Sequence, residues 1–302
     1  YEQYSVIQGG DGGMEYPMAT LVLGRGNVEG KIGLIAHEGM HSWYYGILGT
    51  NESKYPWMDE GFTSYAEDMI MDSLFPKPVG RHQRLIKNFA RWASSTDDYE
   101  PLTTHADFYH TNRGYGIGAY WRGEVFLIQL GAIVGEDHLA SGLLRYYDEW
   151  KFKHPNPERF IRVMEKESGL ELNWYLEQFI ESTNTVDYGL CCIASKGRKT
   201  SIQLERNGEM PMPIDVMVTT KEDSVYYTIP LSIMRGYKGG DRVVMDKSLK
   251  PWPWTYPLYS FEVPFKKDDI TDIQLFPFGR VADVNAEDNG FPLEEIPVFK
   301  GN

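Results

Sequence analysis

"AHEGMHSWYYG", residues 36–46, sets two histidines four positions apart with a glutamate directly after the first. On a helix, residues i and i+4 share a face, so His37 and His41 would aim both imidazoles at one point with Glu38 beside them. The plain alternative is a helix that buries Ile35, Met40 and Trp43 and carries these three as ordinary polar residues. Two imidazoles hold a metal poorly, whereas a catalytic zinc takes three protein ligands and keeps a fourth position for water. "WMDEGFTSYAED", residues 57–68, supplies the third donor: Glu60 follows His41 by 19 positions, and the turn at Tyr55–Pro56 lets a second helix fold back on the first. His37, His41 and Glu60 are therefore the expected ligands of one zinc ion per chain. Glu67, seven residues beyond Glu60 and on the same face, either bonds the outer nitrogen of a ligand histidine or stands in solvent as a surface carboxylate.

Outward from that pair the chain divides in two. Apolar residues recur at three and four spacing over 29–49, 60–74, 79–94, 115–134, 137–151, 157–167 and 172–182, with prolines between, which predicts helices. Residues 1–26 read as strand, glycine-rich loop and strand. After "ESTNTVDYG" come short alternating segments, "KTSIQLERNG", "PIDVMVTT", "SVYYTIPLSIM", "DRVVMD" and "FEVPF", the pattern of a β-sandwich. The expectation is an α+β, multi-domain chain: a mostly helical domain over 1–184 that carries the histidine pair, then a β-sandwich over 185–302.

At these residues the sequence resembles a known family, the aminopeptidase N type of gluzincin zinc metallopeptidases, which includes leukotriene-A4 hydrolase. "HEGMH", eighteen residues and the glutamate of "DEGFTSYAE" have that family's ligand spacing. "GGMEYP", residues 12–17, is similar to its Gly-x-Met-Glu-Asn exopeptidase motif, with Tyr16 where the family has Asn. "YGIGAYWRGE", residues 115–124, is similar to the segment that carries its catalytic tyrosine, and "LERNGEMPMPIDVMV" to the sandwich that follows. The resemblance implies a partly thermolysin-like catalytic domain and a peptide substrate with a free N-terminus. It implies that Gly12, Gly13, Met14 and Glu15 bind substrate, Glu15 holding the α-amino group on a strand edge. It also implies a zinc-bound water, with Glu38 as general base, Tyr120 as donor to the oxyanion and Tyr115 as a supporting donor. The family's large N-terminal β domain and the early strands of its sheet would precede Tyr1 and act as a partner of this chain.

The net charge of −13 would repel a phosphate backbone, which excludes nucleic acid as the expected partner. No run approaches the ~18 apolar residues of a membrane span. An acidic balance with a peptide-degrading role points to a secreted or periplasmic enzyme. Cys191 and Cys192 are adjacent, too close in sequence to staple distant elements, and read as part of a half-buried strand. His82, His105, His110, His138 and His154 lack ligand spacing and read as surface or capping residues. Two other functions stay open: a zinc endopeptidase on the same site, indifferent to a free substrate amine, and a catalytically incomplete module that only binds peptides.

Overall fold

A computed structural model describes residues 1–10, 12–96, 99–239 and 247–290. Asn27 starts the histidine-bearing helix: its side-chain oxygen accepts from the Gly30 N–H at 2.8 Å, satisfying one of the free donors of a first turn. This helix, α1 (Val28–Met40), stops at Met40 and not at residue 49 as expected. Tyr45 takes a left-handed φ of 82°, and the chain curls back through Gly46 N to His41 O (3.0 Å) and Ile47 N to Ser42 O (3.0 Å). Ahead of α1, β1 (Ser5–Gly9), β2 (Gly13–Met14) and β3 (Ala19–Leu23) form a sheet in the order β1-β3-β2, β1 parallel and β2 antiparallel to β3. The glycine-rich loop thus holds a short strand that the sequence pattern did not single out.

α2 (Pro56–Leu74) begins four residues before its expected start, because proline in the first turn forfeits only an N–H that has no helical partner. Then come α3 (Arg81–Ala93), the short α4 (Asn112–Tyr115), a π-helical stretch over Gly116–Arg122 and α5 (Gly123–Val134). α6 (Glu136–Trp150), α7 (Pro157–Ser168) and α8 (Asn173–Ile180) complete the helical part. Every residue of α5 is buried, so it is the axis on which the other helices pack. Phe126 meets Trp57 at 4.9 Å between ring centroids, Tyr175 at 5.0 Å and Phe179 at 5.5 Å. Gly135, with φ of 95°, ends α5 and turns directly into α6.

Beyond residue 187 the chain is β: β4 (Tyr188–Lys196), β5 (Lys199–Arg206), β6 (Ile214–Thr220), β7 (Ser224–Ile229), β8 (Lys247–Ser248), β9 (Leu258–Val263) and β10 (Ile270–Leu275). They form two sheets, β4-β5-β9 and β10-β6-β7-β8. Tyr227 of the second touches Phe261 of the first, ring centroids 5.8 Å apart. The expected strand "DRVVMD" (241–246) lies outside the described residues, as does 291–302, whereas β10 forms without having been expected. A bulge between Leu190 and Cys192 interrupts the β4–β5 register, and Cys192 is buried. The Ala282 N–H donates to Gln129 Oε1 on α5 at 2.8 Å, and Gln83 of α3 donates to Phe278 O at 3.1 Å, tying this part to the helices. Among the described residues no helix is long and apolar enough to cross a membrane.

Candidate active site

α1 does not bury the side chains that an ordinary amphipathic helix would. Ile35 is 38% and Trp43 45% exposed, while His37, Glu38 and His41 are buried against α2, so the plain reading of this stretch fails. His37 Nε2 stands 3.2 Å from Glu60 Oε2 and 3.3 Å from His41 Nε2, which is itself 3.3 Å from Glu60 Oε2. Three donor atoms therefore converge on one point, brought there by the last turn of α1 with its cap residue His41 and by the second turn of α2.

The outer nitrogens say which tautomers are present. His37 Nδ1 faces Glu67 Oε2 at 3.1 Å, and His41 Nδ1 faces Asp59 Oδ1 at 2.6 Å with Thr63 Oγ1 at 3.2 Å. An ionised carboxylate only accepts, so each Nδ1 carries the proton and each Nε2 turns a lone pair inward. Three lone pairs facing one another at 3.2–3.3 Å repel unless a cation sits among them. Edges of that length are those of a tetrahedron around an ion at about 2.0 Å, the distance at which zinc binds imidazole and carboxylate. The donor set fits the metal. Without one, the rings hold second protons: burial pushes both down, but Glu60 and Glu67 lift His37 to about 9, and Asp59 and Glu60 lift His41 to about 11. Burial raises Glu60, but the two histidines outweigh it and hold its carboxyl at about 2.

Glu38 is 5% exposed, and its Oε2 has no hydrogen-bond partner among the described residues. Burial lifts its carboxyl to about 7 against the pull of His37 and His41, so it holds and releases a proton near neutrality. Tyr120 stacks on His37, centroids 5.7 Å apart, and its hydroxyl donates to Glu60 Oε1 at 2.5 Å. Burial, and after it the Glu60 charge, push its phenol far above the usual value, so it stays a donor. Tyr115 lies beside it, with centroids 6.1 Å apart. On an α-helix, residues five apart diverge by roughly 140°; the π-helical turn over Gly116–Arg122 is wider and returns both tyrosines to one face. Arg122, buried at the end of that turn, donates to the carbonyls of Glu100 (3.0 Å), Phe179 (2.7 Å) and Ser182, and so pins it.

Close backbone approach makes this possible. A Cβ on Gly61 would lie 2.5 Å from Gly123 Cα, and one on Gly123 would lie 2.9 Å from Gly61 Cα. Glycine on both sides lets α2 and α5 touch next to Glu60 and Tyr120. Gly13 plays a similar part at the cleft, since a Cβ there would meet Glu38 Oε1 at 1.7 Å. Gly12, Gly13 and Met14 are exposed along the rim, and Glu15 follows β2 half-buried. Glu15 has a carboxylate oxygen within 4.8 Å of donor atoms of Glu38 and His41, and likewise of Glu52 and Asp59. Sequence reasoning missed Glu52, Asp59 and Thr63. Asp59 had a signal, an acid one position before the expected ligand; Glu52 had none.

The profile of the Peptidase family M1 domain matches residues 25–179. Leucine aminopeptidase 2 of Neosartorya fischeri is 24% identical over 244 residues, covering 72% of this chain and 38% of that protein. Leucine aminopeptidase 2 of Aspergillus clavatus is 25% identical over 230 residues, covering 68% of this chain and 36% of that one. The chain thus spans well under half the length of these relatives. In fold it is similar to Legionella pneumophila aminopeptidase A, solved in complex with aspartic acid: TM-score 0.63 at 14% identity, covering 93% of this chain and 31% of that one. With the matched region taking in about half of the residues and all three converging donors, the chain belongs to peptidase family M1.

Proposed function

We propose that this chain is a metallo-aminopeptidase that removes the N-terminal residue of peptides, with zinc held by His37, His41 and Glu60. The observation that carries the reading is the convergence of those three donor atoms at 3.2–3.3 Å with Glu38 unpartnered beside them and Glu15 within reach of both Glu38 and His41. A zinc ion there would supply Lewis acidity, lowering the pKa of water toward neutrality and offsetting charge on the scissile carbonyl oxygen. Glu38 accepts the proton of the attacking water and passes it to the departing amine. Tyr120 turns its hydroxyl from Glu60 to the carbonyl oxygen as charge develops there, with Tyr115 behind it. Glu15, joined by Glu52, binds the substrate ammonium and sets the register at one residue, with Gly12, Gly13 and Met14 along the substrate backbone. An ammonium between two carboxylates is what separates this reading from an endopeptidase.

In this reading residues 1–184 are a thermolysin-like catalytic domain and 185–302 a β-sandwich, the latter supported by the Tyr227–Phe261 contact across the two sheets. A secreted or periplasmic setting, and completion of the cleft by an N-terminal β domain, belong to the same proposal. The test is Glu38→Gln: zinc content stays at one per chain while turnover of free-amine peptides falls by about 10²–10⁴. A variant that keeps substantial activity removes Glu38 from its role.

A further inference from the structure

A cavity of about 570 Å³ opens from the candidate active site, lined by His37, Glu38 and Tyr120 and also by Glu67, Asp68 and Glu124. Among the described residues no Lys or Arg lines it. Arg81 comes within 3.7 Å of Asp68 but is engaged by Asp72 at 2.8 Å and Glu29 at 2.6 Å. Glu124 is 5% exposed, and its Oε1 has no hydrogen-bond partner among the described residues. His82 Nε2 stands 3.6 Å from that oxygen and lies at 3.2 Å from the Tyr65 carbonyl, to which it donates. A buried carboxylate oxygen without a donor is costly and marks a place where a donor is missing. Burial raises both the Asp68 and Glu124 carboxyls; their contact raises Glu124 further and pulls Asp68 down, so the pair holds one proton between them and keeps a net negative charge.

The direction of the substrate assigns the wall. Glu15 and Glu52 cluster together, whereas Gly13, two residues before Glu15, lines the cavity with Glu38. A peptide whose ammonium meets Glu15 and whose first carbonyl meets Tyr120 runs past Gly13 into the cavity, so its second residue faces the acidic wall. We propose that Glu67, Asp68 and Glu124 select a basic side chain, Lys or Arg, at the first residue of the leaving peptide. This rests on the aminopeptidase reading and adds the class of substrate. The chain's net charge of −13 acts in the same sense, drawing cationic peptides toward the cleft.

The test uses the zinc-loaded chain and four tripeptides, Leu-Lys-Ala, Leu-norleucine-Ala, Leu-Gln-Ala and Leu-Glu-Ala. Lysine and norleucine differ in the ammonium alone. The expected kcat/KM favours Lys over norleucine by about tenfold, with Glu poorest, and the ratio shrinks as salt screens the wall. Glu124→Gln combined with Asp68→Asn lowers the Lys-to-norleucine ratio toward one. Equal rates for Lys and norleucine, or Glu preferred, overturn the proposal while leaving the peptidase reading intact. Calorimetric binding of Leu-Lys-Ala and Leu-norleucine-Ala to the zinc-loaded Glu38→Gln chain reads the wall without turnover. Tighter binding of Leu-Lys-Ala there, with no cleavage of any tripeptide by the unaltered chain, supports the acidic wall and removes the peptidase reading; equal binding overturns the wall whatever the turnover.

Discussion

Gly61→Ala is a one-methyl change at the point where α2 meets α5. The added carbon would lie 2.5 Å from both Gly123 Cα and Gly123 C and 3.0 Å from Glu124 N, all of them backbone atoms that no rotamer change can move. Carbon contacts relax to about 3.5–4.0 Å, so the helices must part by roughly 1 Å. Overpacking of this kind costs about 1–3 kcal/mol, and alanine returns up to about 1 kcal/mol of helix propensity over glycine. The net loss of at most about 3 kcal/mol lowers Tm by only several degrees in a chain of this size. The larger effect is on chemistry. Glu60 directly precedes Gly61, and Tyr120 stands three residues before Gly123 with its hydroxyl 2.5 Å from Glu60. A displacement of about 1 Å there costs on the order of 10² in rate. The assay is kcat/KM on an aminoacyl substrate beside a thermal melt, with Gly116→Ala as control, since a Cβ at Gly116 meets nothing within 4 Å. Gly61→Ala with unchanged Tm and unchanged kcat/KM would refute the argument that this glycine contact builds the site.

Asp59→Ala removes the carboxylate 2.6 Å from His41 Nδ1 and should weaken zinc binding about 10–100-fold, read by competition with a chromogenic chelator; unaltered affinity would make Asp59 a bystander. In the metal-free protein burial opposes protonation of both rings, but their carboxylate partners hold His37 at about 9 and His41 at about 11, above the ordinary imidazole value. Near pH 7 each ring therefore carries a proton that a metal must displace, so loading should release about two protons and affinity should fall with acidity. Calorimetry in buffers of different ionisation enthalpy measures this, and release near zero contradicts it. By the same sign the two rings stabilise the metal-free fold fully below about pH 6.5, and that stability is lost as pH climbs through about 9 and about 11. Tyr120→Phe should lower kcat by about 10²–10³ with little change in KM; an unaltered kcat would leave Tyr120 as packing against His37.

The convergence of His37, His41 and Glu60 was legible because helical spacing alone puts the first two on one face and the proline turn returns the third. Glu67 lay on the same face of α2 as Glu60, and it meets His37 at 3.1 Å. Asp59, one position before Glu60, sits on a different face of α2 and meets His41 at 2.6 Å, a contact that ligand spacing does not report. The end of α1 was hidden because Ile47 and Leu48 continue the apolar spacing past it. The π-helical turn was illegible: Tyr115 and Tyr120 diverge on any α-helix, and hydrophobic periodicity does not register one extra residue per turn. Glu52 and β10 depend on contacts between segments distant in sequence, which no local pattern reports.

The most direct test is hydrolysis of a panel of aminoacyl-p-nitroanilides against their N-acetylated counterparts, with metal content determined on the same sample. The account predicts one zinc per chain and cleavage of the free-amine substrates alone, abolished by chelation and restored by zinc. Equal cleavage of the acetylated substrates, or one bound zinc with no cleavage of either set, would contradict it.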